Sequence, residues 1–100
     1  MGLEFAIDEL YATGWTGLDS TACEFHADGR AYPSVDRVRK HFEAAGYGFA
    51  IRHIQLFDCY RAEWRDGSND GGAVVGQTER QAAVYALSQL RRQIASAAAC

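Results

Sequence analysis

The run from Gly76 to Ile94 constrains the fold of this chain more than any other feature. Thr78 and Gln81 form a T-x-x-Q capping box, which satisfies amides that the start of a helix otherwise leaves without partners. Gly76 marks the break before it. At about 100° per residue, Ala83, Ala86, Leu87, Leu90 and Ile94 fall within a single arc of roughly 100°, the width of a stripe that faces a core. Alanines in that arc let a backbone approach closely, and the leucines and isoleucine fill the space between strands. Glu79 at one end and Arg91 and Arg92 at the other suit the helix dipole. The stretch therefore predicts a helix laid on a β-sheet.

A chain of 100 residues predicts one domain spanning 1–100, large enough to bury roughly 60–70% of its unfolded surface without cross-links. Hydrophobic content of 48% argues against general disorder, and no apolar run approaches the ~20 residues needed to span a bilayer. Glu4, Asp8 and Glu9 stand where a secretory signal would carry basic residues, and Ala6 stands where a myristoylation motif needs Ser or Thr, so neither signal is expected. Cys23, Cys59 and Cys100 include no C-x-x-C pair, a usage that suits a reducing compartment and predicts a cytoplasmic protein. The formal net charge of −3 disfavours a chain devoted to a phosphate backbone.

Leu3, Ile7 and Leu10 have helical spacing, with Gly14 as the stop. Leu3, Phe5 and Ile7 also alternate as a strand does, and Phe5 is on the wrong side of the helical wheel, so residues 3–7 remain open between the two. Trp15 to Thr21 reads as a turn-rich connection. Ala22 to Ala27 predicts a short strand, and Asp28-Gly29 a turn returning through Arg30-Ala31-Tyr32. Ser34 is placed to cap a helix from Val35 to Ala45, with Val35, Val38, Phe42 and Ala45 on one face and Gly46 ending it. Asp36–Lys40 and Arg39–Glu43 are expected as solvent-side pairs.

Tyr47 to His53 predicts a strand that buries either Phe49 and Ile51 or Ala50 and Ile54. After a turn near Gln55–Asp58, Tyr60, Ala62 and Trp64 alternate with Arg61, Glu63 and Arg65, which gives a strand one apolar face. Asp66 to Gly72 reads as a glycine-rich mobile loop, and Ala73-Val74-Val75 as one short strand more. Because consecutive strands pair with their neighbours, the expected fold is α+β. An antiparallel β-meander is packed by two helices in an α-β-β-β-α core, preceded by an N-terminal helix and a short strand.

From Ser34 to Leu90, this order, with Gly76-Gln77-Thr78 opening an alanine-rich last helix, resembles the double-stranded-RNA-binding domain. That resemblance implies contact with RNA minor grooves and the intervening phosphates through a lysine cluster at the start of the last helix. Glu79, Arg80 and Gln81 occupy those positions here. The same stretch is also similar to the small phage ABA-sandwich domain in Pro33-Ser34, Gly46-Tyr47-Gly48-Phe49, Trp64 and Gly76-Gln77-Thr78. This second resemblance implies a fold and brings no catalytic residues with it.

His26 and Asp28 lie near Cys23, but alternation sets Cys23 and His26 on opposite faces, and no second ligand pair has recognised spacing. His41 and His53 read as boundary residues. Gly67 to Gly72 lacks both the P-loop and the dinucleotide pattern. No catalytic, cofactor-binding or metal-binding residue is expected. Arg30, Arg37, Arg39, Lys40, Arg52 and Arg61 with Tyr32, Tyr60 and Trp64 could suit single-stranded nucleic acid, although Asp36, Glu43 and Glu63 are interleaved with them. Tyr85 falls about 200° from Ala83 on the wheel, beside Gln81 and Arg92, so the back of the central helix presents an aromatic where water is expected. Either the N-terminal segment or a second subunit must cover it. These residues make Tyr85, Arg92 and Gln81 the candidate partner contacts of a non-enzymatic interaction module, expected to self-associate or to bind a protein. A nucleic-acid-binding module is the alternative, and no membrane partner is expected.

Overall fold

The computed structural model describes residues 2–15, 23–68 and 71–99, with only the helical backbone over 94–99. The elements run α1 (Leu3–Tyr11), β1 (Cys23–Phe25), β2 (Ala31–Pro33), α2 (Val35–Ala44), β3 (Gly48–Ile54), β4 (Cys59–Arg65), β5 (Gly71–Gly76) and α3 (Glu79–Ala99). β3, β4 and β5 form an antiparallel sheet in that order, and β1 and β2 form a separate antiparallel hairpin. From α2 onward the order is the expected α-β-β-β-α, with both helices against one face of the sheet.

Local chemistry sets the helix boundaries. Ser34 Oγ accepts the Arg37 amide at 3.2 Å, so α2 starts where the sequence places its cap. It ends at Gly46, whose φ of 91° suits a residue without a Cβ, and the Tyr47 amide turns back to the Phe42 carbonyl at 2.9 Å. At the head of α3 the Gln81 amide donates to Thr78 Oγ1 at 3.1 Å. The Gln81 side chain reaches back to the amide of Gln77 at 2.8 Å, one residue before the position a standard capping box reaches. On the solvent side of α2, Arg39 pairs with Asp36 at 3.2 Å, one turn back, rather than with Glu43.

Residues 3–7 are helical. Ala6, Ile7 and Leu10 are fully buried along one stripe of α1. Phe5, off that stripe, has a partner of its own: its ring meets Tyr85 edge-on, with centroids 5.5 Å apart and planes at 67°. α1 lies along α3, where Arg91 Nε donates to Thr13 Oγ1 at 2.8 Å and Arg92 pairs with Glu9. The predicted stripe on α3 is consequently too narrow. Gln81, Ala82, Val84 and Ser88 are buried as well as Ala83, Ala86, Leu87 and Leu90. On the wheel that is an arc of roughly 260°, because the helix is covered by the sheet and α2 on some sides and by α1 on another.

Between α2 and the sheet, Phe42 is the centre of an aromatic cluster with Phe49 at 4.6 Å, Trp64 at 5.2 Å and Tyr47 at 6.4 Å. The inner face of the sheet is therefore the one carrying Phe49 and Ile51, not Ala50 and Ile54. Trp15 is also buried, beside Tyr11. Trp15 opens the expected turn-rich connection, and the rest of that connection, 16–21, lies outside the described residues.

A further correction concerns the glycine-rich loop. Gly71 and Gly72 belong to β5, paired with Arg65 and Trp64. A Cβ at Gly71 would stand 1.8 Å from the Trp64 carbonyl oxygen, and one at Gly72 would stand 2.6 Å from the Trp64 indole. These glycines permit a close approach within a strand, a use of glycine that composition cannot separate from a loop.

Candidate functional site

Two histidines pair with carboxylates among the described residues. His26 Nε2 lies 3.1 Å from Glu4 and helps hold the β1–β2 hairpin to α1, together with the Arg30–Asp8 pair and the Tyr11 hydroxyl, which donates to the Ala31 carbonyl at 2.7 Å. Asp28 is tied into the hairpin turn: its carboxylate accepts the Arg30 amide at 3.0 Å and Arg30 Nε at 2.8 Å, which hold it below the ordinary carboxylate value. His53 Nε2 lies 3.1 Å from Asp58 at the β3–β4 turn, and its ring is 4.8 Å from that of Tyr60. His41 is half-buried on α2. Among the described residues no group of three or more His, Cys, Asp and Glu is placed to hold a metal ion. No helix among them is long and apolar enough to cross a membrane.

The candidate partner contacts on α3 are occupied within the chain. Gln81 is buried and caps the helix, Tyr85 is half-buried under Phe5, and Arg92 is paired with Glu9. Of the two covers for Tyr85, the structure has the N-terminal helix. The basic and aromatic set disperses too: Tyr32 and Trp64 are in the core, Arg30 pairs with Asp8 and Asp28, and Arg39 with Asp36.

A polar cleft of about 580 Å³ opens where the starts of α2 and α3 converge, lined among others by Glu24, Asp36, Arg39, Glu79 and Arg80. Each of its cations is matched. Arg80 makes a two-point contact with Glu24 at 2.9 and 3.3 Å, and this raises its pKa further. Tyr32 stands behind the pair, its phenol pushed up by burial first and by Glu24 second.

The outer face of the β3–β5 sheet differs in kind. Strand register arranges it as successive rows: Ile54 beside Cys59; Arg52, Arg61 and Val75; Ala50, Glu63 and Ala73; and Gly48, Arg65 and Gly71. The Glu63 side chain is only 19% exposed, and its carboxylate accepts from Arg52 at 3.2 Å and from Arg61 at 2.8 Å. Each guanidinium gives one nitrogen to Glu63, Nη2 of Arg52 and Nε of Arg61, while Arg65 has no carboxylate partner among the described residues. Small residues on β3 and β5 leave the side chains of β4 as a ridge between shallow depressions of about 310 and 300 Å³. At the end near the β3–β4 turn stand Leu56, Phe57 and Val75, exposed by 85%, 75% and 51%.

The arginine alternation along β4 is readable in sequence. The Leu56–Phe57 turn between Arg52 and Arg61 is readable with it, whereas Val75 joins that row only through the register of β5. Fold and surface together define a small α+β domain with one sheet face covered by helices and the other open. No family model, curated protein or solved structure matches the chain.

Proposed function

We propose that this chain is a non-enzymatic interaction module that engages a partner through the open face of its β3–β5 sheet. The observation that carries the reading is the coincidence of fixed arginines and exposed large apolar side chains on one face of a fold whose own helices occupy the opposite face. Large apolar groups grouped at the surface favour contact with another molecule, since solvating them is unfavourable. Self-association face to face receives little support, because it would set Arg52, Arg61 and Arg65 against their copies. A double-stranded-RNA module draws on the element order, but the cation at the start of α3, Arg80, is committed to Glu24 and stands next to exposed Glu79.

Site-specific photocrosslinking in cells expressing the protein tests the reading. A photoreactive residue at position 52 or 75 should yield a discrete adduct that the same residue at exposed Lys40, on α2, does not, and the purified adduct partner should bind the purified chain. Identical adduct patterns from the sheet and from α2 would rule the open face out.

A further inference from the structure

We infer that the open sheet face takes a protein segment in which an apolar anchor adjoins a run of acidic side chains. The inference rests on the proposal that this face is the interaction surface and adds the chemistry of the occupant. Two observations determine it. First, the face is graded along the strands: Leu56 and Phe57 stand at the β3–β4 turn, Ile54 and Cys59 form the row nearest it, Arg52 and Arg61 share the next row with Val75, and Arg65 lies two rows further on. A ligand lying along β4 meets apolar groups at one end, then the Arg52–Arg61 row, the row of Glu63, and Arg65. Second, the cations are prearranged. Glu63 spends its carboxylate holding Arg52 and Arg61 at 3.2 and 2.8 Å, so an incoming carboxylate finds guanidiniums already oriented and loses less side-chain freedom on binding.

Charge selects the sign of the partner: on the strand rows three arginines stand against one carboxylate, Glu63, and Asp58 in the turn is paired with His53, which leaves a cationic face on a chain whose formal net charge is −3. The side chains across the rows discriminate between anionic polymers. Single-stranded nucleic acid is held on sheets by aromatic platforms that stack on bases. The rows here hold Ile54, Ala50, Ala73 and Val75, the aromatic rings Phe49, Tyr60 and Trp64 lie toward the helices, and Phe57, in the turn, is a single ring where a stacking platform for successive bases takes several. Of the two depressions beside β4, the one on the β5 side is lined by Arg61 and Arg65 with Gly71 and Ala73, and the one on the β3 side by Arg65 with Gly48 and Ala50; Glu63 lines both, its carboxylate held by Arg52 and Arg61, so a short acidic side chain would be met by Arg65 in either.

The test uses the full chain labelled with ¹⁵N and a blocked synthetic peptide with a Leu-Phe-Leu end followed by alternating Glu and Asp. The same peptide with Lys for every acid, and an oligothymidylate of similar length, serve as comparisons. The acidic peptide should shift amides of β3, β4 and β5 and of the 55–58 turn, and weaken with added salt. Its affinity should fall about tenfold or more in Arg52→Glu/Arg61→Glu, where like charges meet, and also in Leu56→Ser/Phe57→Ser; the Lys peptide should leave the spectrum unchanged. All the substituted side chains are exposed, and unchanged amide dispersion of the variants verifies that they fold. Equal binding of the acidic and Lys peptides, tighter binding of the oligothymidylate on the same amides, or no binding by any probe overturns the inference. Failure of the underlying surface reading is distinguishable, since it appears as identical crosslinks from positions 52, 75 and 40.

Discussion

Removing the contact between Phe5 and Tyr85 tests the claim that α1, and not a second molecule, covers the back of α3. Both residues are half-buried, and their rings meet edge-on at 5.5 Å, within the range where aromatic pairs attract beyond simple area burial. Truncating a fully buried phenylalanine costs about 3–5 kcal/mol, so Phe5→Ala, at partial burial, should cost about 1.5–2.5 kcal/mol. Tyr85→Ala should cost a similar amount. The double variant should be less destabilised than the sum of the two by the pair's own worth, about 0.5–1.5 kcal/mol. For a domain of this size each kcal/mol corresponds to about 4–8 °C in Tm. Urea unfolding followed by tryptophan fluorescence is well placed to read this, because Trp15, beside α1, and Trp64, in the sheet, are both buried and report on the two sides of α3. The coupling should be the same at protein concentrations about a hundredfold apart, since an intramolecular contact obeys no mass action. Zero coupling, or stability of the parent chain that rises with concentration and loses that rise in Tyr85→Ala, would refute the reasoning and return Tyr85 to an intermolecular role.

Gly72→Ala should destabilise by about 1–3 kcal/mol, with a loss visible in equilibrium urea unfolding, because the new methyl meets the buried Trp64 indole at 2.6 Å and the ring must shift from its place in the core. Thr78→Ala, which removes the hydroxyl that accepts the Gln81 amide, should cost about 1 kcal/mol with an unchanged m-value. The Asp28 carboxyl should titrate below 3.8 by NMR, so the stability it lends the hairpin is present above that pH and is lost as pH falls through the lower folded value. In Arg30→Ala, which removes the Arg30 side-chain contact, the carboxyl should titrate higher than in the parent chain. Tyr32 should ionise above 10.0 in a spectrophotometric titration, and Glu24→Gln should leave it raised, because burial is the larger cause.

Phe5 and Tyr85 also mark the limit of what periodicity conveys. Each is out of place on its own helical wheel, one off the stripe of α1 and the other on the back of α3, and the structure resolves both misfits by setting them against each other. Of the other candidate contacts, Gln81 is engaged in the cap of its own helix, and Arg92, though exposed, pairs with Glu9 of α1. A single-helix pattern cannot reveal this, since it treats everything off the stripe as facing water. Gly71 and Gly72 make the same point for loops: glycine composition signals freedom of the backbone, whereas here it leaves room for an indole.

The features legible from the amino-acid sequence alone are those whose causes are contained within a few residues: the caps at Ser34 and Thr78, the stop at Gly46, and the two-residue period that turns Tyr60, Ala62 and Trp64 inward and Arg61, Glu63 and Arg65 outward. The helix from Thr78 onward and the α-β-β-β-α order follow from them. Tertiary structure alone decided what lies beside what. Strand register placed Val75 next to Arg61 and Arg52, and helix packing closed α1 over Tyr85. The physical reason is that capping and pleating are short-range and repeat along the chain, while a surface is composed of residues far apart in sequence, brought together only when the core closes.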